Sequence, residues 1–272
     1  GIQFDTTKLP QFVIPRLHEM NPNFSERLKT VKEIKSLGKQ VSVDGDKYDY
    51  VIDCRGYPED YSDYIITDKV YLDSGIVVKS FTPGDWEYTY HIAHEHGWMF
   101  GIPLQKTTGW GYLWNSEVTS ELEAQSNLIN LLGEYQVEYF SEDCRQFKFK
   151  NYYAKSIVNE DGNIFVNGNR ALFLEPIQAT SLGCYGLING LIIDSIENKH
   201  YDHEKYTTVM DEVIKFINLH YYNGSNYNTP FWNRAQEGAR EVLNGINPEK
   251  YDWKYVIDWT PQFRQKMFES FL

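Results

Sequence analysis

Three groups of residues have the types and spacing to do chemistry. The first opens an apolar helix that the pattern predicts after Pro176, within the strand, loop and helix of residues 163–196. Thr180 or Ser181 is placed to cap that helix. Its first turn offers backbone N–H groups and a positive dipole end, a site for an anion or a polarised oxygen. The same helix carries Gly183, Gly186 and Gly190. Each interior glycine costs about 0.5–1 kcal/mol relative to Ala. Close approach of a backbone or a flat ligand would explain that cost, and so would a glycine face packed on a sheet; the spacing alone favours the sheet. The second group is His91, His94 and His96, of which His94 and His96 are expected to share a strand face. No further ligand is spaced to complete a metal site, so these read as ordinary sheet histidines and no metal is expected. The third group, Cys54, Cys144 and Cys184, is odd in number and widely spaced, the pattern of reduced cytoplasmic thiols.

The elements that must position these residues follow from periodicity. Gly1–Asp5 reads as the tail of a loop. Lys8–Met20 has helical spacing, with Pro10 in its first turn and Pro15 expected to kink or break it. Phe24–Leu37 is basic and expected to be solvated on one side. Gln40–Val43 and Tyr48–Ile52 flank Asp44-Gly45-Asp46, a hairpin signal. Lys69–Lys79 and Trp86–Ile92 are expected to be strands of one sheet, and residues 91–104 and Gly109–Trp114 two more antiparallel strands. Ser120 and Glu123 predict a capping box on a helix closed by Gly133. Val137–Phe140 and Phe147–Ala154 return to strand. Ile164–Val166 is a short strand that Gly168-Asn169 turns away, and Pro176 keeps helix out of the following loop. Asp202–His220 is a strongly periodic amphipathic helix. Thr229-Pro230 starts another, running to about Asn244, and Thr260-Pro261 a short last one. Strands dominate the first 170 residues and helices the rest, with no internal repeat or linker.

Composition excludes several classes. The 272 residues are 42% hydrophobic and 24% charged, enough for a sizeable core. A net charge of −12 with scattered acids argues against nucleic acid or an anionic membrane surface as partner. The longest apolar run, Leu187–Ile193, is too short to span a bilayer. The 21 Tyr, 15 Phe and 7 Trp are an unusual aromatic load, part of which suits an aromatic pocket. The chain contains no G-x-G-x-x-G, Walker loop, G-x-S-x-G elbow or H-E-x-x-H.

Four stretches, in order, resemble the flavin-dependent tryptophan halogenase family. Gly97-Trp98-Met99-Phe100-Gly101-Ile102-Pro103 is similar to its G-W-x-W-x-I-P motif, with Phe100 at the second Trp. Asp49–Tyr57 is similar to an apolar strand ending in D-C-x-G-[FY]. Residues 168–181 are similar to the flavin-contacting G-D-A-x-x-F-x-x-P-[LI]-E-[SA]-T-G segment. His220-Tyr221 with Asn228–Trp232 is similar to H-Y…D-T-P-[FY]-W, and residues 111–124 resemble the stretch after the Trp motif.

The resemblance implies an α/β (α+β) fold of the flavin-monooxygenase type. Residues 1–200 would form a partial flavin-binding and substrate-sheet region, and 201–272 a helical region packed with it as one unit. The implied cofactors are FAD, reduced by a flavin reductase, and a halide ion. In such enzymes reduced flavin and oxygen convert halide to hypohalous acid, which reaches an aromatic, indole-like substrate through a tunnel. Gly56, Gly168, Asn169 and Pro176 match flavin-contacting positions, with Asn169 in place of an Asp. Thr180 and Ser181 match the halide-binding pair. Trp98, Phe100, Ile102, Pro103, Phe231 and Trp232 match substrate or tunnel positions. Gln178 stands at the catalytic Glu, with Glu175 three residues earlier as a substitute carboxylate. The family pattern's dinucleotide loop and its Lys precede the matched part. The expected partners are therefore an aromatic small molecule, the upstream part of the fold or a second copy of the chain, with no nucleic acid and no membrane. A divergent flavoprotein monooxygenase, or an inactive homologue that binds an aromatic ligand or partner chain, is the alternative.

Overall fold

The computed structural model describes residues 5–139 and 144–246. In chain order its elements are α1 (Leu9–Met20), β1 (Ile34–Ser36), β2 (Val41–Val43), β3 (Asp46–Tyr48), β4 (Val51–Asp53), β5 (Tyr64–Ile66), β6 (Ser74–Ser80), β7 (Tyr90–His94), β8 (Gly97–Pro103), β9 (Thr108–Trp114), α2 (Glu121–Glu134), β10 (Arg145–Lys148), β11 (Tyr152–Ala154), β12 (Ile164–Val166), β13 (Leu172–Phe173), α3 (Thr180–Asn198), α4 (His203–Tyr222) and α5 (Pro230–Val242). The class is mixed α/β.

The largest sheet is antiparallel, in the order β10-β6-β9-β8-β7. Its middle strands are buried on both faces, and cross-strand register explains how. Trp98 lies opposite Leu113 and Met99 opposite Tyr112, so each pair shares a face. On one face Trp98 donates its indole N–H to Tyr221 of α4. On the other, Asn127 of α2 donates to the Tyr112 hydroxyl. Helices therefore cover both sides, and the alternation expected of a half-exposed sheet is lost. The glycines of these strands make room for rings: a Cβ on Gly111 would meet Phe100, and one on Gly101 would meet Trp110. Two smaller sheets stand beside this one, antiparallel β13-β11-β5 and the parallel pair β12-β4, together with the hairpin β1-β2-β3.

Local sequence signals hold where they were strongest. The Ser120–Glu123 capping box forms in full. Asp202 caps α4 by accepting from the Lys205 N–H. Thr229 caps α5 with Pro230 in its first turn, and Gly245 follows the helix with φ +77°. Asp44 and Gly45, both at positive φ, turn β2 into β3.

Other expectations are corrected. Pro15 sits inside α1 without ending it, and no residue of α1 is buried, so the helix stands clear of the core. Tyr48–Ile52 is two strands: β3 pairs with β2, whereas β4 pairs in parallel with β12. Lys69–Lys79 is strand only from Ser74, and Trp86–Ile92 only from Tyr90. The loop before Ser74 is tied down instead, because Asn115, Asn151 and Asn218 donate to the carbonyls of Tyr71, Leu72 and Lys69. Phe147–Ala154 likewise divides between β10 and β11, which join different sheets. Gly133 lies within α2, and Gln136 takes the left-handed position beyond it. Tyr139 makes a single bridge to Ser80; Phe140 and the helix expected at Thr260-Pro261 lie outside the described residues.

The glycine-bearing helix α3 also differs from expectation. Cys184, Ile188, Leu191 and Ile192 point into the core. Leu182, Asn189, Gly190 and Ile193 face out, and a Cβ on Gly190 would meet nothing within 4 Å. Packing on a sheet therefore does not account for that glycine among the described residues. By length and composition the helical stretch 177–198 is apolar enough to cross a membrane, although its longest uninterrupted apolar run is short. A core helix meets the same test, and the buried side of α3 is core.

Close strand packing sets one stability expectation. A Cβ on Gly97 would lie 2.2 Å from the Leu113 carbonyl oxygen, a backbone atom, whereas one on Gly109 would meet nothing within 4 Å. Gly97→Ala should lower the thermal midpoint by roughly 5–10 °C, and Gly109→Ala by no more than about 2 °C. Differential scanning calorimetry of the two variants checks this; equal midpoints would contradict the packing described.

Candidate functional site

The residues singled out at 168–181 are brought together by two anchored turns. The first follows β12. Asn167 accepts the Gly168 N–H on its own side-chain oxygen and donates to the Tyr185 carbonyl and the Asn189 side chain of α3. Gly168 has φ +60°, and nothing lies within 4 Å of where its Cβ would be. Asn169 accepts on its carbonyl from Tyr152 and on its side chain from Tyr185. The second turn, in the connection from β13 to α3, begins at Glu175, whose N–H donates to the Asn151 side chain.

Between Pro176 and α3 the backbone is strained. Gln178 (φ 55°, ψ 21°) and Ala179 (φ 53°, ψ 36°) are consecutive left-handed residues, neither of them glycine. Each costs about 1–2 kcal/mol. Contacts on both sides hold them. Ser181 bonds both the N–H and the carbonyl of Leu174, Thr180 donates to the Ile177 carbonyl, and the Ile177 side chain is buried. Thr180 and Ser181 are thus committed to the loop and neither caps α3; its N-cap is Ala179, without a side-chain bond. Pro176, Gln178 and Ala179 are exposed on this loop, and Ser181 is half-buried beside them.

Glu175 points the other way and is fully buried. Its Oε1 accepts from the Tyr221 hydroxyl at 2.6 Å, and the Tyr221 oxygen accepts from Trp98 Nε1 at 2.9 Å. Tyr221 and Trp98 are themselves 2% and 4% exposed. Burial pushes the Glu175 pKa up to about 8, against smaller lowering contributions from Tyr221 and the Leu72 backbone. Oε2 has no well-formed hydrogen bond. The two candidate catalytic positions therefore face opposite sides of the loop, Gln178 outward and Glu175 into the core.

The remaining candidates separate. Phe100 and Ile102 are half-buried and follow Trp98 on the same face of β8, while Pro103 is buried. Phe231 and Trp232 are buried core of α5, and Trp232 donates to the His94 carbonyl. Gly56, φ +86° with open space where a Cβ would stand, follows β4 and lies beyond the same ends of the parallel strands as Gly168. His96 falls in the β7–β8 turn, so it shares no strand face with His94, and among the described residues no group of three His, Cys, Asp or Glu is arranged to hold a metal. Periodicity did not reveal Tyr221 as the link between Trp98 and Glu175. Its place beside His220 within the late motif was the available signal.

Solved structures share this fold. The chain superimposes with a TM-score of 0.70 on MibH, a lanthipeptide tryptophan 5-halogenase, at 18% identity, covering 95% of this chain and 55% of that one. For a tryptophan halogenase from Shewanella frigidimarina the values are 0.66 and 19%, with 87% and 49% covered. In sequence, it is 23% identical over 224 residues to tryptophan 7-halogenase RebH of Lentzea aerocolonigenes, covering 75% of this chain and 40% of that protein. The tryptophan halogenase family model matches residues 27–246. The fold is that of the flavin-dependent halogenases, and the chain belongs to the tryptophan halogenase family. It spans between 28% and 40% of the length of the curated relatives it matches here.

The buried carboxyl gives a pH expectation. Its folded pKa of about 8 lies above the ordinary value of 4.5, so between these values the folded state holds a proton that the unfolded state has lost. Its stabilising contribution is complete below about pH 4.5 and falls as pH rises towards 8. Glu175→Gln keeps an acceptor for Tyr221 and removes the titration. Its midpoint relative to the parent should therefore rise from pH 5 to pH 9, by scanning fluorimetry; a constant difference would show that Glu175 does not titrate in this range.

Proposed function

We propose that this chain supplies the substrate sheet and halide loop of a flavin-dependent halogenase acting on an aromatic, indole-like compound. The observation that carries the reading is the loop at 175–181: strained, exposed, anchored on both sides and placed at the start of α3, behind which Trp98 is locked in place. Strain of this kind is kept where the surrounding structure over-determines it, commonly at functional sites.

The turns after β4 and β12 fit a flavin. Gly56 and Gly168 take left-handed conformations with open space beside them, so a ligand backbone can approach closely. When bound, reduced flavin with oxygen supplies the oxidising equivalent that turns halide into an electrophilic halogen. Gly56, Gly168, Asn169 and Pro176 would hold the cofactor, Asn169 as a neutral hydrogen-bonding group. The first turn of α3, at Thr180 and Ser181, would hold the halide through the positive end of the helix. Trp98 and Phe100, backed by Ile102 and Pro103, would wall the substrate from the flavin by bulk and by exclusion of water. Phe231 and Trp232 support that wall from the core.

Gln178 is exposed at the position of the expected proton acceptor, and an amide takes up no proton at neutral pH. Glu175 cannot replace it from the core side of the loop without breaking its bond to Tyr221. Gln178 and Asn169 together favour a second reading, a divergent homologue with weakened catalysis.

The test joins the chain, fused or in trans, to the upstream part of a family flavin fold, with FAD, a flavin reductase, bromide and indole. Brominated product is read by mass spectrometry. Slow turnover is expected, and Gln178→Glu should raise it by about 10²-fold, within the range of general-base assistance, with little change in flavin binding. Fast turnover that Gln178→Glu does not improve would overturn the role of position 178. No halogenation by either form would favour the second reading. The chain alone should bind FAD weakly, with a dissociation constant above about 1 µM by fluorescence titration; tight binding and a yellow purified protein would contradict this.

A further inference from the structure

The carboxyl ends of β4 and β12 carry a charge cluster that the reading above does not use. Asp53, 6% exposed, ends β4. Arg55 donates to it three times: from its backbone N–H at 3.1 Å, from Nε to Oδ1 at 2.9 Å and from Nη2 to Oδ2 at 2.9 Å. Arg170, which ends the turn after β12, meets the same carboxylate only through Nε, 3.4 Å from Oδ2. Among the described residues neither Nη of Arg170 has a hydrogen-bond partner. Its side chain is 26% exposed, so part of a planar five-donor fork is held half-buried and idle.

Position and charge give the idle donors a direction. In open parallel sheets ligands bind outside the carboxyl ends of the strands. Here those ends are bordered by Gly56 and Gly168, both with open space where a side chain would stand. Asp53 is the acidic group paired with Arg170, while Arg55 also feels Glu59 and Asp44 at longer range. Where the family pattern reads G-D-A, this chain reads Gly168-Asn169-Arg170. An acid has become neutral and a methyl side chain has become a cation, a change of two charge units towards an anionic ligand, in a protein whose net charge is −12.

We propose that Arg170 is an anion-binding residue whose free guanidinium edge takes a phosphoryl group of a phosphorylated flavin. The inference rests on the flavin reading of the preceding subsection for the identity of the ligand, and on the geometry of Arg170 for the anion. A guanidinium presents paired donors that match phosphate oxygens, and such charge-assisted bonds are about twice as strong as neutral ones.

The test titrates the 272-residue chain with inorganic pyrophosphate, FMN, FAD and riboflavin at constant ionic strength, following the arginine Nε–H signals by ¹⁵N NMR. Pyrophosphate, FMN and FAD should shift the Arg170 signal and riboflavin should not. A response to FAD with none to FMN would assign the diphosphate rather than a terminal phosphate. Arg170→Ala should weaken pyrophosphate binding about tenfold, and Arg170→Lys should restore part of it. Circular dichroism confirms that the variants fold. No response to pyrophosphate, or unchanged affinity in Arg170→Ala, overturns the proposal. Pyrophosphate binding at Arg170 without any flavin response would keep the anion site and remove the flavin reading. FAD binding equally well to Arg170→Ala would do the reverse.

Discussion

The arrangement depends on one buried chain of hydrogen bonds, Trp98 to Tyr221 to Glu175. It joins the central sheet, α4 and the loop before α3 through side chains that are almost wholly out of water. Each group alone would be costly to bury: an indole N–H, a phenol and a carboxyl. Together they satisfy one another except at Oε2, and burial keeps the carboxyl protonated to higher pH than usual. Residues 98, 175 and 221 are far apart in sequence, so the network forms only once sheet, loop and helix have docked.

That anchor makes the strained loop tenable. A carboxyl held in the core at 175 and a serine clamped to Leu174 at 181 leave little freedom to the residues between them. Two consecutive left-handed residues persist because relaxing them would pull Glu175 or Ser181 from its partners. The same constraint decides which way each polar side chain faces: Glu175 is committed inward, and Gln178 reaches the surface at the start of α3.

Part of the exposed apolar surface lies on α3 and on the parallel strands. The outward side of α3 shows Leu182, Gly190 and Ile193, the parallel sheet has two strands among the described residues, and Ile52 of β4 is about half exposed. Parallel strands are ordinarily buried on both faces. Apolar helix face, short parallel sheet and open glycine turns lie around the elements that carry the flavin-like motifs. Gly190 lies on the outward side of α3 with open space beside it, while the core side is filled by larger residues.

Much of this was legible along the chain, because its causes are local. The capping box at Ser120, the Thr229-Pro230 start of α5 and the Asp44-Gly45 turn each depend on a few neighbouring residues, and each formed as read. The family was legible too, since its motifs are contiguous strings. Strand partners were not: 48–52 and 147–154 look continuous, yet each divides between two sheets, because pairing is chosen by distant strands competing for the same edges. Nor could the sequence orient Glu175 and Gln178. Both are polar residues in one loop, and which of them is buried was decided only when Tyr221, 46 positions beyond Glu175, arrived to donate its hydroxyl to the Glu175 carboxyl.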